Sequence, residues 1–221
     1  MAQQRRTNTR PLTTRVDGGA VTAPKPVFIG LSGATASGKS EALAALGRLG
    51  AATLSTDAVT HEALNEPATV ELLIARWGPE VAPGGLVDRA KVGEIVFADP
   101  DELHWLESVL HPLVGQRMLT WREQLDEATE LAVVEVPLLF ESGMEPLFDA
   151  TLVVVAGDER RRRWAGERGT AAVEGRSARQ LTEADKASRA TFVVANDGDL
   201  AELEEALREL WPRLLAPREG A

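Results

Sequence analysis

The sequence predicts a doubly wound α/β domain built on a mostly parallel, five-stranded sheet. Short runs of apolar and β-branched residues, each typical of a buried strand, alternate along the chain with segments of helical periodicity. The first run leads directly into a glycine-rich stretch, and a long helical block separates the second run from the third. The strands are predicted at residues 27–31, 51–54, 131–136, 151–156 and 191–195.

The glycine-rich stretch after the first strand matches GxxxxGK[ST], the pattern of a phosphate-binding loop. Its glycines let backbone N–H groups curl around a polyphosphate, and the following helix directs its positive N-terminus at the same anion. We expect Lys39 to reach the β- and γ-phosphates of a nucleotide and Ser40 to offer its hydroxyl to Mg²⁺. The structural alternative is a glycine-rich turn that carries a lysine by chance. The residues predicted to bind the nucleotide are Gly33, Ala36, Ser37, Gly38, Lys39, Ser40 and Glu41.

Helices are predicted between the strands from the spacing of apolar residues and from capping residues. Asp99 followed by Pro100 is typical of a helix start. We expect this helix to be broken at His111-Pro112, with a longer amphipathic helix after the break. The other helices are predicted from the phosphate loop to residue 49, from residue 57 through 64, at 67–77, from 88 through 96, at 174–190 and from 200 to about 215.

Composition limits the class of protein. With 221 residues, 44% of them hydrophobic, the chain can bury the core of one full domain. The absence of cysteine excludes disulfides and thiolate metal sites. The sequence has neither an apolar run long enough to span a membrane nor a secretory signal, so we expect a cytoplasmic protein. A net charge of −10 disfavours nucleic acid and membrane surfaces as partners, so small anionic substrates must be held by local clusters of arginine.

The domain organisation follows from shifts in composition. The N-terminal segment has five basic residues and one acid, and it is expected to be a disordered tail. A transit peptide and a later translation start near Val21 are the alternatives. The expected organisation is a tail at 1–26, a domain at 27–215 with a helical insertion at about 67–128 and a lid at about 158–190, and a flexible end at 216–221.

Asp57 follows the second predicted strand and Glu135 lies near the end of the third, so both are expected at the ligand-binding edge of a parallel sheet. Asp57 could accept a proton from a substrate hydroxyl or hold Mg²⁺ through water, and the structural alternative is an ordinary helix N-cap. Glu135 could be a metal-associated carboxylate, although the alternation of the strand sets it apart from Val134 and Val136.

An arginine-rich segment follows the fourth strand and includes residues 160–163 and Arg168. Interspersed acids weaken a nucleic-acid interpretation. We expect a mobile lid in which at least one arginine closes over the transferring phosphates, and a solvated basic face is the alternative.

The order of short motifs resembles that of the dephospho-coenzyme A kinases over about residues 28–210. The motifs include GLSGATASGKS, STDAVTHEAL, VPLLFESG and ANDGDLAEL. The phosphate loop alone specifies only a nucleoside-triphosphate enzyme. The resemblance to this family rests on His111-Pro112 and residues 137–141 together with Asp57 and His61.

The resemblance implies transfer of the ATP γ-phosphoryl group to the ribose 3′-hydroxyl of dephospho-coenzyme A, the last step of coenzyme A biosynthesis. By the same resemblance, Asp57 is the general base, and ATP and Mg²⁺ are the cofactors. The residues implied in other roles are Arg163 and Arg168 in the lid, Asn196 and Gly198 beside the adenine, and His61, Arg89, His111 and Glu141 near the acceptor. The expected assembly is a monomer.

Three positions depart from the family pattern. Ser55 stands where the family usually has an aspartate, which leaves the Mg²⁺ shell short of one carboxylate. Ala34-Thr35-Ala36 occupies a stretch where glycine is common, so the loop should be stiffer, and Ala190-Thr191 replaces an Ala-Asp pair. A kinase for another small hydroxyl acceptor, such as a nucleoside, and a non-catalytic ATP-binding regulator therefore stay open as alternatives.

Overall fold

A computed structural model describes residues 25–157 and 180–216, which form a five-stranded sheet with helices on both faces. The strands are β1 (Val27–Gly33), β2 (Ala52–Ser55), β3 (Leu131–Glu135), β4 (Ala150–Val155) and β5 (Phe192–Ala195). Their order is β2-β3-β1-β4-β5, and every pair of neighbours is parallel. The predicted fold class is confirmed, and each strand begins and ends within two residues of its predicted bounds.

The helices connect the strands. They are α1 (Lys39–Leu49), α2 (Thr56–Leu64), α3 (Pro67–Trp77), α4 (Arg89–Ala98), α5 (Pro100–Glu123), α6 (Glu183–Arg189) and α7 (Leu200–Leu214). The predicted start of α4 is confirmed, because the Asp88 carboxylate accepts hydrogen bonds from the N–H groups of Ala90 and Lys91. Asp99 caps α5 in the same way through Asp101. None of the helices described is both long enough and apolar enough to cross a membrane.

The predicted break at His111-Pro112 is wrong, since α5 continues through Pro112. A proline inside a helix costs about 3 kcal/mol. Four apolar side chains with four-residue spacing are buried on one side of α5, and each contributes about 1.5–3 kcal/mol by burial. Their packing therefore outweighs the local effect of the proline. These side chains are Leu106, Leu110, Val114 and Met118.

The helix predicted at 174–190 is shorter than expected over the residues that the structure describes. Residues 180–182 are not helical, and α6 begins at Glu183. The reason is local: the Thr182 hydroxyl accepts a hydrogen bond from the N–H of Asp185, which fixes Thr182 as the N-cap. Residues 174–179 lie outside the described part of the chain.

The core lies on both faces of the sheet, as the alternation of side chains along a strand requires. On one face, Ile29 and Leu31 of β1 pack with α1 and α7. On the other face, Phe28 packs with Met118 of α5 and with Phe148. A third apolar cluster joins α2, α3, α4 and α5 to one another. The sheet is therefore covered by packed side chains on both faces.

Leu207→Ala is expected to lower the free energy of unfolding by about 2–5 kcal/mol, because it leaves a cavity beneath the sheet. Leu207 is fully buried in the cluster that contains β1 and α7. Urea denaturation monitored by circular dichroism measures the change. The matched control is Leu200→Ala on the same helix, where the side chain is 51% exposed and the expected change is within about 0.5 kcal/mol. Equal effects of the two substitutions would contradict the described packing of α7.

Candidate active site

The phosphate loop connects β1 to α1 at the carboxyl edge of the sheet. Gly33 approaches its neighbours so closely that a Cβ atom there would lie 2.5 Å from the Val154 carbonyl oxygen and 2.6 Å from the Ser37 hydroxyl. Gly38 has a φ of 91° at the N-cap of α1, a conformation that favours glycine. The two glycines of the pattern thus fit a tight loop that ends at a helix N-terminus, as a phosphate site requires.

One departure from the family pattern leaves strain in this loop. Ala36 has a φ of 60°, the left-handed conformation that costs a residue with a side chain roughly 1–2 kcal/mol. The loop turns at this point, where the N–H of Ser37 donates a hydrogen bond to the Ala34 carbonyl oxygen. Ala36 therefore occupies the position where a glycine would be unstrained.

The Lys39 side chain folds back over the loop, and its Nζ atom donates a hydrogen bond to the Ala34 carbonyl oxygen at 2.9 Å. Burial lowers the pKa of Lys39, and the positive charge of Lys186 lowers it further. The negative charges of Glu135, Asp57 and Glu41 oppose this change. An anionic ligand at the loop would add a stronger counter-charge to the same ammonium group.

Glu135 ends β3 and lies beside the phosphate loop, with only 6% of its surface exposed. Burial raises the pKa of Glu135, while the Lys39 charge and hydrogen bonds from the Ser40 and Ser55 hydroxyls lower it. The nearby Asp57 carboxylate acts in the same direction as burial. Glu135 is thus a buried carboxylate whose neighbours are the lysine and serine of the phosphate-binding motif.

Asp57 is the second residue of α2 and is exposed. The alternative that it is the N-cap of the helix is wrong, because Ser55 occupies the N-cap position and the helix begins at Thr56. Ser55 lies opposite Glu135 in the sheet register, and the charge of Asp57 acts on both Lys39 and Glu135. These contacts bring Asp57, Glu135 and the phosphate loop together at one edge of the sheet.

The residues predicted near an acceptor are more dispersed. His61 lies one helical turn after Asp57 and is likewise exposed, so both side chains share a face of α2. Arg89 is the first residue of α4 and His111 lies in the middle of α5, both exposed. Within the described ranges, no recorded contact joins Arg89 or His111 to Asp57.

Glu141 lies in the loop after β3, and its side chain is largely buried. Its Oε1 atom accepts a hydrogen bond from the N–H of Leu181 at 2.9 Å and lies 3.0 Å from the Nζ atom of Lys186. Its Oε2 atom is buried and has no hydrogen-bond partner among the described residues. Contact between Glu141 and a substrate stays a prediction.

Asn196 and Gly198 have structural surroundings that the sequence does not reveal. The Asn196 side chain is 1% exposed, and its Nδ2 atom donates a hydrogen bond to the Ser37 carbonyl oxygen at 2.9 Å. A Cβ atom on Gly198 would lie 1.6 Å from Glu202 Oε2, in the capping box of α7. Asn196 therefore braces the phosphate loop from β5, and contact with an adenine stays a prediction for both residues. Arg163 and Arg168 lie outside the described residues.

The chain is similar to known proteins over most of its length. The family model described as dephospho-CoA kinase matches residues 27–202. The dephospho-CoA kinase of Thermus thermophilus is 36% identical over 201 residues, which cover 90% of this chain and 97% of that protein. The dephospho-CoA kinase of Anaeromyxobacter dehalogenans is 41% identical over 199 residues, with 87% and 92% covered.

Solved structures show the same architecture. A crystal structure from Thermus thermophilus has a TM-score of 0.74 at 36% identity and covers 86% of this chain and 99% of that chain. The dephospho-CoA kinase from Campylobacter jejuni has a TM-score of 0.65 at 22% identity, with 87% and 98% covered, and shares the fold. The similarity in each case covers more than four fifths of this chain.

Proposed function

The chain belongs to the dephospho-CoA kinase family of ATP-dependent kinases, and we propose that its phosphate loop, Asp57 and Glu135 carry out that reaction. The reaction phosphorylates the ribose 3′-hydroxyl of dephospho-CoA and yields CoA and ADP, the last step of coenzyme A biosynthesis. The observation that carries the assignment of residues is the convergence of Lys39, Asp57 and Glu135 at the carboxyl edge of the sheet.

The phosphate loop would hold the donor. The Lys39 ammonium group lies at the loop, where it donates to the Ala34 carbonyl oxygen, and it would bind the β- and γ-phosphates of ATP. Burial removes water from around the ammonium group, so its attraction to the charge that develops on the transferring phosphoryl group is strong. Asn196 would keep the loop in place.

Asp57 would act on the acceptor. Its carboxylate would accept the proton of the 3′-hydroxyl as that oxygen forms a bond to the γ-phosphorus, while the bond to the β,γ-bridging oxygen breaks and ADP leaves. Exposure of Asp57 at the edge of the site makes it accessible to a substrate. His61, on the same face of α2, would bind the acceptor beside it.

The Ser40 hydroxyl and the Glu135 carboxylate fit a Mg²⁺ site, because both are oxygen donors next to the phosphate loop. When bound, Mg²⁺ would neutralise negative charge on the transferring phosphates. In the described ranges no cluster of three or more acidic or histidine side chains could hold a metal ion, so phosphate oxygens and water would complete the shell. Glu135 would thus supply the carboxylate that Ser55 does not.

Glu135→Gln is expected to raise the Mg²⁺ concentration needed for half-maximal activity by roughly 10–100-fold, because the carboxylate that Glu135 would supply to the metal site is lost. Steady-state kinetics over a range of Mg²⁺ concentrations measure this change. The matched control is Glu130→Gln, an exposed residue just before β3, for which no change is expected.

The same substitution is expected to increase stability. Burial raises the pKa of Glu135 in the folded state above its ordinary value of 4.5, so folding opposes ionisation. Below pH 4.5 the Glu135 carboxyl is protonated in both the folded and the unfolded protein, and its contribution to stability is fully present. This contribution is lost as the pH rises through the folded-state pKa, because the buried group must then carry a charge. The stability advantage of Glu135→Gln should therefore grow with pH above 4.5, which urea denaturation at a series of pH values measures. A destabilised variant at neutral pH would contradict the burial of this charge.

A coupled assay of ADP release with and without dephospho-CoA tests the proposed function. We expect release to depend on the acceptor and the product to gain the mass of one phosphate. Phosphorylation of nucleosides with no activity on dephospho-CoA would favour the related kinase. ATP binding without turnover would favour a regulator, and Ser55→Asp would then be the variant to test.

A further inference from the structure

Lys186 is a buried charged side chain that the proposed mechanism does not use. It is the fourth residue of α6 and is 0% exposed. Its Nζ atom donates a hydrogen bond to the Pro137 carbonyl oxygen at 2.8 Å and lies 3.0 Å from Glu141 Oε1. The sequence around it is polar and predicts only a surface helix, so its burial requires a separate explanation.

The partners of Lys186 join separate segments of the chain around the active site. The Pro137 carbonyl oxygen also accepts a hydrogen bond from the hydroxyl of Ser32, near the end of β1, at 3.2 Å. Glu141 Oε1 also accepts from the N–H of Leu181, just before α6. One ammonium group thus connects the loop after β3 with the strand that leads into the phosphate loop and with the entry to α6.

A second contact links the same segments. The Thr35 hydroxyl, in the phosphate loop, donates a hydrogen bond to Gln180 Oε1 at 3.2 Å. Residues 180–182 therefore contact the phosphate loop at Thr35 and the loop after β3 at Glu141. The position of α6 is defined relative to both loops.

A gain in stability does not by itself explain why the Lys186–Glu141 ion pair is buried. Removing an ammonium group and a carboxylate from water costs several kcal/mol for each ion, and apolar side chains of similar volume often serve a folded protein equally well. Glu141 is only 12% exposed, so the pair is largely desolvated. A buried pair of this kind is better explained by the geometry that its directional bonds impose.

We propose that Lys186 is a positioning residue that fixes residues 137–141 relative to the phosphate loop, so that the donor and acceptor sides of the active site keep one spacing. Because it is fully buried, Lys186 does not touch the substrates. It acts through Pro137 and Glu141, and its positive charge also acts on Lys39. This inference rests on the proposed function for its kinetic readout only.

The first test compares Lys186→Met with wild type. We expect kcat to fall by roughly 100-fold, the effect of a misplacement of about 1 Å, with ADP affinity changed by less than about threefold. We also expect faster amide hydrogen exchange in residues 137–143, measured by mass spectrometry. The matched control is Lys91→Met, since Lys91 pairs with Glu80 at the surface and should change none of these quantities.

A second variant separates positioning from stability. Lys186→Met leaves the Glu141 carboxylate buried without its counter-charge, whereas Lys186→Met with Glu141→Gln removes both charges and should recover stability. We expect the double variant to keep the low kcat and the fast exchange, and its loss of kcat to be no larger than that of Lys186→Met alone.

Recovery of kcat together with stability in the double variant would overturn the proposal, as would full kcat and unchanged exchange in Lys186→Met. The exchange measurement needs no substrate. If wild type fails to phosphorylate dephospho-CoA, the proposed function fails, while unchanged exchange at 137–143 would still count against Lys186 as a positioning residue.

Discussion

Lys39→Met is expected to lower kcat by at least about 1,000-fold without unfolding the protein. The change removes the ammonium group that would stabilise charge on the transferring phosphoryl group, and it keeps most of the apolar stem. Burial lowers the pKa of Lys39, so at neutral pH the charged side chain opposes folding, and the neutral variant should be at least as stable as wild type. Single-turnover kinetics and urea denaturation measure the two effects.

The control for this substitution is Lys25→Met, an exposed lysine ahead of β1 that should leave both quantities unchanged. A Lys39→Met variant that turns over at more than about a tenth of the wild-type rate would show that this lysine does not stabilise the transition state. Loss of stability together with activity would instead mean that the hydrogen bond to Ala34 matters mainly for the fold.

Asp57→Asn is expected to lower kcat by roughly 100–10,000-fold, because an amide of the same shape cannot accept the hydroxyl proton. ATP binding should change little, since Asp57 lies on α2 and not in the phosphate loop. Isothermal titration with ATP and rapid-quench kinetics with dephospho-CoA distinguish binding from chemistry. Glu62→Gln, at another exposed acidic residue of α2, is the control, for which activity within about twofold of wild type is expected.

Near-full activity in Asp57→Asn would remove Asp57 from the role of base. Glu135 would then be the next carboxylate to consider, because a carboxylate with a raised pKa is a stronger base. In that case, Glu135→Gln should show the loss of kcat that Asp57→Asn does not show.

The residues of the phosphate loop could be predicted from the sequence because the motif carries its chemistry locally. Gly33, Gly38 and Lys39 need only their spacing and the preceding strand to be recognised. Alternation of short apolar strands and helices likewise predicts a parallel sheet, since parallel strands require crossover connections. The fold class was therefore predictable from local pattern.

The surroundings of Glu135, Asn196 and Lys186 could not be predicted in the same way. Each depends on contacts between distant parts of the chain: Asn196 binds a carbonyl 159 residues away, and Lys186 binds one 49 residues away. The presence of a polar residue in a predicted strand or helix does not reveal whether its side chain is buried. The break predicted at Pro112 is wrong for a related reason, since packing of α5 against its neighbours determines whether the helix continues.

The central place of β1 in the sheet has a consequence for how the chain folds during synthesis. Roughly 100 residues separate the end of β1 from the start of β3, and β4 comes later still. At about 5–20 residues per second, the ribosome needs roughly 5–20 s to complete the first partner of β1. Throughout that interval both edges of an apolar strand lack hydrogen-bonding partners.

The helices made during this interval have a core of their own, formed by residues between Ala63 and Leu110. We expect nascent chains that have emerged from the ribosome as far as residue 125 to resist proteolysis in this helical region and to be cleaved at residues 27–33. Chains stalled well beyond β5 should be protected at both places. The inserted helices are thus expected to pack first during translation, and the strand that carries the phosphate loop is made before them and enclosed after them.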